Sequence, residues 1–189
     1  MMRKTSTIAL AIVVIVLAVV VLVSQLPSPR TDSDHPAAGG STPVAAVLER
    51  PSDATLSHVA YVHDGDTLYL QPDGTTSRAD EITVRLIGID TPEIRPTVEC
   101  FGIEARDYVR ALLPKGTAVW IKSDVEKLDQ YGRSLLYVWT EDGRSVNLEL
   151  VANGYATALR TAPSDTYWKQ FAIAEEDARH ADAGLWGSC

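Results

Sequence analysis

Residues 56–93 read LSHVAYVHDGDTLYLQPDGTTSRADEITVRLIGIDTPE. Three runs rich in Val, Ile, Leu, Tyr and Thr, namely Leu56–His63, Thr67–Gln71 and Glu81–Ile89, are separated by Asp64-Gly65 and by Pro72-Asp73-Gly74. Both separators are strong turn signals, so the stretch predicts three strands in a meander. Side chains alternate along a strand, which puts Arg85, Ile87 and Ile89 on one face. Pro92 cannot donate to a ladder, and it leaves Asp90, Thr91 and Glu93 at the end of that strand.

Working outward toward the carboxy terminus, Gly102–Leu113 places Ile103, Tyr108, Val109, Leu112 and Leu113 near one face of a helix that Pro114 and Gly116 end. Thr117–Ser123 and Ser134–Thr140 add two strands. Val146–Asn153 reads as a helix stopped by Gly154, and a longer helix is expected from about Asp165 to Ala183, capped by Ser164 or Asp165 and closed by Gly184. Five short strands interrupted by one helix and followed by two predict an α+β, mainly β domain. Its expected architecture is a five-stranded barrel of the oligonucleotide-binding (OB-fold) type with three helices.

Toward the amino terminus the character changes. Ile8–Val23 is unbroken apolar, and Thr7–Leu26 carries no charge, enough as a helix to cross about 30 Å of hydrocarbon. Arg3 and Lys4 flank only the leading side, so the positive-inside rule puts the rest of the chain beyond the membrane. A cleaved signal peptide is the alternative, and it exports the domain equally. Pro27–Asp53 is rich in Pro, Ser, Gly, Ala and Asp with no sustained period, and reads as a flexible tether. The expected organisation is a membrane anchor or signal segment over 1–26, a linker over 27–53 and a domain over 54–189. Its location is the cell membrane, single-pass with the domain outside, or the exterior if the segment is cleaved.

The chain of 189 residues has a net charge of −8. The part from Pro51 onward is slightly more acidic still, because Arg3, Lys4, Arg30 and Arg50 precede it against Asp32, Asp34 and Glu49. A generic basic surface that holds nucleic acid by counterion release is therefore not readable in the sequence. Phosphate chemistry here must rest on local arginines, or on a cation that offsets carboxylates. Two cysteines in an exported domain favour a disulfide, and Cys100 with Cys189 is the only intramolecular pairing open to them.

Three segments carry polar residues that a bare barrel does not need: Asp64–Thr67 (DGDT), Arg85–Glu93 (RLIGIDTPE) and Asp129–Arg133 (DQYGR). Two carboxylates and a carbonyl at one strand end, with Asp66 across the sheet, are oxygen ligands suited to a hard cation such as calcium. An arginine fixed nearby is the part needed to hold a phosphate. Taken singly, each residue has an ordinary explanation as a turn former or solvated charge. No Ser-His-Asp set is visible, and His58, His63 and His180 read as surface or packing residues.

The runs DGDT, RLIGIDTPE, FGIEA, DQYGRSLLYV and VNLELVANGYA, closing with GLW, occur in this order over Leu56–Trp186 and resemble the staphylococcal nuclease (thermonuclease-like) family. That resemblance implies calcium-dependent hydrolysis of DNA and RNA phosphodiesters to 3′-phosphate products. It implies that Asp66 and Asp90 hold calcium by their carboxylates and Thr91 by its carbonyl. Glu93 would orient or deprotonate the attacking water, Arg85 and Arg133 would bind the phosphate, and Tyr131 corresponds to a tyrosine near it. The chain departs from the family at Ala158–Ala162, where tyrosines of a base-stacking platform are replaced, at Ile94–Cys100, and at Gln130. The competing reading is a non-catalytic OB-fold module that binds nucleic acid or protein. Another is a calcium-holding structural domain, in which Glu93, Arg85 and Arg133 would have no purpose.

Overall fold

The computed structural model describes residues 47–189. The expected membrane segment Thr7–Leu26 and most of the expected linker lie outside the described residues. Among the described residues no helix is long and apolar enough to cross a membrane.

The strands are β1 (Thr55–Val62), β2 (Thr67–Pro72), β3 (Ile82–Leu86), β4 (Ile89–Asp90), β5 (Ala118–Lys122), β6 (Ser134–Thr140) and β7 (Thr157–Ala158). The helices are α1 (Gly102–Leu112), α2 (Val146–Ala152), α3 (Trp168–His180) and the single turn α4 (Leu185–Ser188). Five strands close a barrel in the order β1-β2-β3-β6-β5, as the strand pattern predicts. Neighbours are antiparallel except β3 and β6, whose parallel register sets Arg85 opposite Leu135. Inward positions of β2 and β3 alternate as Leu68, Leu70, Val84 and Leu86, all buried. β6 is apolar on both faces, because its outer side is covered by helices: Tyr137 packs on Tyr167 and Phe171.

Residues 47–53 lie against this barrel. Leu48 is buried and its carbonyl accepts the Trp139 indole N–H at 3.0 Å, while the Arg50 guanidinium lies 4.3 Å above the Trp120 ring.

The expected continuous strand Glu81–Ile89 is broken. β3 ends at Leu86, residues 87 and 88 turn, and Ile89–Asp90 pairs instead with β7 in a separate two-stranded sheet. Arg85, Ile87 and Ile89 therefore do not line one strand face. The turn needs a left-handed residue, and Gly88 has φ +80° with no room for a side chain, since a Cβ would lie 2.5 Å from the Phe171 ring. Buried Asn147 holds the turn from α2: its Nδ2 donates to the Ile87 carbonyl at 2.9 Å, and its Oδ1 accepts the Val138 N–H at 3.0 Å.

The last long helix starts at Trp168 and ends at His180, shorter than the expected Asp165–Ala183. Neither proposed cap serves it. The Ser164 hydroxyl is buried and accepts the Glu126 N–H at 2.9 Å, and the Asp165 carboxylate pairs with Arg160 at 2.9 Å. The expected disulfide is present between Cys100 and Cys189, with Cα atoms 5.9 Å apart. It ties the end of the chain to the segment that leads from Glu93 into α1.

Candidate active site

The three polar segments meet at one end of the barrel. In the β1–β2 turn the Asp64 carboxylate accepts the N–H groups of Asp66 at 3.2 Å and Thr67 at 2.7 Å, so Asp64 is a turn former in its own right. Gly65 has a second purpose beyond the turn. A Cβ there would lie 2.7 Å from the Thr91 side chain, so glycine lets the β1–β2 turn and the start of the 91–101 segment touch.

Asp66 is 6% exposed. Its Oδ2 accepts from the Thr91 N–H at 3.0 Å and the Thr91 hydroxyl at 3.1 Å, and Arg85 Nη2 stands 3.1 Å away. Its Oδ1 accepts from the Thr67 hydroxyl at 3.2 Å. Burial pushes the Asp66 carboxyl above its ordinary range; the Arg85 charge opposes this, and the charges of Asp64 and Asp90 add to it. Arg85 is held on every side. Its Nη1 donates to the carbonyls of Leu86 at 2.8 Å and Ile89 at 2.9 Å, and its Nη2 to Asp90 Oδ1 at 2.7 Å. The turn at Gly88 makes this possible by folding the Ile89 carbonyl back over β3.

Arg133 arrives from the turn before β6. Gly132, at φ +79°, allows the chain to reverse there, and Asp129 organises the reversal. One Asp129 oxygen accepts the N–H groups of Tyr131 and Arg133, both at 2.9 Å, and the other accepts from Arg133 Nε at 2.6 Å. Burial opposes ionisation of Asp129, but these bonds from Arg133 and Tyr131 outweigh it and hold the carboxyl below its usual range. Arg133 Nη1 reaches the Thr67 hydroxyl at 3.4 Å. A continuous polar chain thus runs Arg133, Thr67, Asp66, Arg85, Asp90. Tyr131 is 76% exposed, with its ring 5.6 Å from the Arg133 guanidinium carbon.

Glu93 follows Pro92 on the rim. Its N–H donates to Glu99 at 2.9 Å and its carbonyl accepts the Glu99 N–H at 2.8 Å, which closes residues 93–99 into a loop. Partial burial first, and then the charges of Asp66, Asp64, Asp90 and Glu99, hold its carboxyl above the ordinary glutamate range. Such a carboxylate is a better proton acceptor than a solvated one.

Among the described residues no group of three or more His, Cys, Asp or Glu side chains forms a metal-binding set. The donors brought together are two carboxylates, of Asp66 and Asp90, joined here by Arg85. Among the described residues, the acidic neighbours of His58 and His63 are single aspartates, Asp73 and Asp64, at 4.0 and 3.9 Å.

Sequence reasoning missed four contributors. Thr67 and Asp129 fell inside the segments that it singled out, and the Asp129–Arg133 spacing across a glycine turn was a readable signal for Asp129. Asn147, in the first turn of α2 and buried at the core, had only its polarity amid apolar neighbours to mark it. Glu99 had no signal.

A model of the staphylococcal nuclease homologue family matches residues 83–188. The chain belongs to the staphylococcal nuclease family. It is 35% identical over 131 residues to a thermonuclease of Staphylococcus intermedius, covering 68% of this chain and 74% of that protein. It is 31% identical over 148 residues to a thermonuclease of Staphylococcus hyicus, covering 76% and 82%. Endonuclease YhcR of Bacillus subtilis is 36% identical over 137 residues, which is 66% of this chain and only 11% of that larger protein. Within this staphylococcal nuclease framework, Leu159 and Thr161 line an open pocket of about 340 Å³ together with Arg85, Tyr131 and Arg133. The departures at Ala158–Ala162 thus border the two arginines.

Proposed function

We propose that the protein is a calcium-dependent nuclease that acts outside the membrane and hydrolyses phosphodiester bonds of DNA and RNA to leave 3′-phosphates. The observation that supports this best is the polar chain from Arg133 through Thr67 and Asp66 to Arg85 and Asp90, with Glu93 beside it. It draws on three segments remote in sequence, and a barrel has no structural need for it.

In-line attack on a phosphodiester requires a deprotonated water and neutralised charge on the phosphate oxygens. Glu93 takes the proton of the attacking water, a task suited to a carboxyl held above its usual range by its acidic neighbours. Arg85 and Arg133 bind the phosphate and stabilise the charge that grows on its oxygens as the 5′ bond breaks. Asp129 acts on Arg133 as a positioning residue, fixing the guanidinium before substrate arrives. The donors fit calcium, being oxygens only, and Asp66 is a buried carboxylate that already gathers donors. Asp66, Asp90 and the Thr91 carbonyl would hold the ion, which when bound supplies charge neutralisation at the phosphate. The exported location rests on Arg3, Lys4 and the apolar run that follows them.

The test is cleavage of single-stranded and duplex DNA by the purified protein, with calcium and with a chelator, and with product ends analysed. Arg85→Ala, Arg133→Ala and Glu93→Gln should each lower the rate by about 10² to 10⁵. Wild-type rates in both arginine variants would sink the assignment of the site. A wild-type protein that retains single strands yet never cleaves them with calcium would make it a binding module.

A further inference from the structure

The outer face of β1, β2 and β3 carries a cluster of rings that the proposed chemistry does not use. Tyr61 and Tyr69 are register partners across β1 and β2, beyond an irregularity that follows Val59, and their ring centres are 6.0 Å apart. His63 completes the group at 6.5 Å from each. All three pairs are tilted or edge-on, with interplanar angles of 50° to 67°, so the rings do not stack on one another. Tyr61 is 51% exposed. Together with Arg78, Glu81 and Thr83 these rings line an open pocket of about 410 Å³.

The pocket lies beside the candidate active site on the same face of β2 and β3. β2 and β3 pair Thr67 with Arg85 and, one step along the same outer face, Tyr69 with Thr83. Thr67 and Arg85 belong to the polar chain, and Tyr69 and Thr83 belong to the ring pocket. Two residues along a strand span about 7 Å, a distance that one nucleotide of an extended strand can bridge. At the other end of the cluster, His63 adjoins Asp64 of the β1–β2 turn.

From this placement we propose that Tyr61, His63 and Tyr69 form a subsite that stacks a base of the single-stranded substrate next to the phosphate held by Arg85. This rests on the nuclease reading of the site. Unstacked bases recognise aromatic faces with little regard to sequence, and each has a face to offer. The charges choose the same occupant. Arg78 enters from the 3-10 turn Arg78–Asp80, and Arg110 donates to the Tyr61 hydroxyl at 3.2 Å, so cations flank the rings and suit the sugar-phosphate strand on either side of a base. Glu81, on the lining, would repel a phosphate lying in the pocket itself, whereas the N–H groups on a base edge would meet it and the Thr83 hydroxyl as acceptors. The subsite gives an acidic domain a means of holding a strand that does not depend on net charge.

The test compares the full chain with Tyr61→Ala, Tyr69→Ala and Tyr69→Phe, with unaltered melting temperature as the check of folding. Two readouts are taken: fluorescence anisotropy of a labelled single-stranded DNA in chelator, and kcat/KM in calcium on that DNA and on bis-nitrophenyl phosphate, a phosphodiester without a base. The alanine variants should bind the strand about ten- to hundredfold more weakly. Their loss of kcat/KM should be at least tenfold greater on DNA than on bis-nitrophenyl phosphate, and Tyr69→Phe should recover most of it. If Tyr69→Ala does not fold, half-exposed Tyr61→Ala carries the comparison. Alanine variants that bind and cleave DNA as wild type does would overturn the subsite and leave the nuclease reading intact. A wild-type protein that never cleaves, yet loses strand binding when the rings are removed, would overturn the nuclease reading and leave the subsite standing.

Discussion

Asn147→Ala should be among the most destabilising single changes in the domain, although the side chain lies outside the candidate active site. Asn147 is fully buried, and its amide serves two buried backbone groups from different elements: the Val138 N–H on β6 and the Ile87 carbonyl in the β3–β4 turn. Alanine leaves both without that partner. An unsatisfied buried group costs about 1–3 kcal/mol, so the pair amounts to about 2–6 kcal/mol. That is a large share of the roughly 5–15 kcal/mol that holds a domain folded. At about 3–4 °C for each kcal/mol in a domain of this size, the melting temperature should fall by roughly 6 to 24 °C. Asn153→Ala is the internal control. Asn153 follows the same helix and donates to the Glu149 carbonyl at 2.8 Å, but it is exposed, so water replaces the lost bond and the expected cost is under about 0.5 kcal/mol. Thermal unfolding by circular dichroism measures both. Because the Ile87–Gly88 turn brings the Ile89 carbonyl and Asp90 to Arg85, Asn147→Ala should also lower cleavage well below its melting point. If the two asparagine variants melt within a degree or two of each other, the account of the turn is wrong.

Reduction of Cys100–Cys189, which spans 89 residues, should remove up to about 4–5 kcal/mol of stability in the chain-entropy account; two alkylatable thiols in the native, unreduced protein would contradict the bond. Asp66→Asn should raise the melting temperature at neutral pH while impairing activity: burial holds the native Asp66 carboxyl above its unfolded value, so the cost of its charge is fully present above the native pKa and fades as pH falls through it. The gap between variant and wild type should therefore close on acidification, and a gap that widens toward acid would reverse the sign of the argument. Glu93 must be ionised to accept a proton, and the Glu99 charge helps to hold it protonated, so Glu99→Gln should move the acid limb of the kcat/KM profile to lower pH at fixed calcium. An unmoved limb would show that Glu99 serves only the loop.

The barrel was legible because its strands alternate and their turns carry Asp-Gly and Pro-Asp-Gly, signals that act within a few residues of themselves. The site was legible as three segments for the same reason, since DGDT, RLIGIDTPE and DQYGR each combine a turn with charges. The break in RLIGI was not. An apolar run with one glycine suits a strand as well as a turn, and what decides between them is Asn147, some sixty residues on, with the Phe171 ring against Gly88. The late start of α3 has a similar cause. Ser164 looks like a cap locally, but its hydroxyl is engaged by Glu126 in the loop before β6. The sharing of Arg85 between Asp66 and Asp90 also depends on cross-strand register and on that turn, neither of which a single segment encodes.

The parallel pairing of β3 with β6 bears on when the chain first becomes able to act. Arg85 on β3 and Arg133 in the turn before β6 are separated by roughly fifty residues, and the Val84–Ser134 register that brings them together is a long-range contact of the kind that forms slowly. While the chain is being made, Asp66, Arg85 and Glu93 emerge well before Arg133, and no partial product holds the whole constellation. Hydrolytic capacity therefore arrives late and all at once, with closure of the barrel. For the nuclease proposed above, that timing keeps every incomplete chain inactive by strand order alone, independent of any inhibitor.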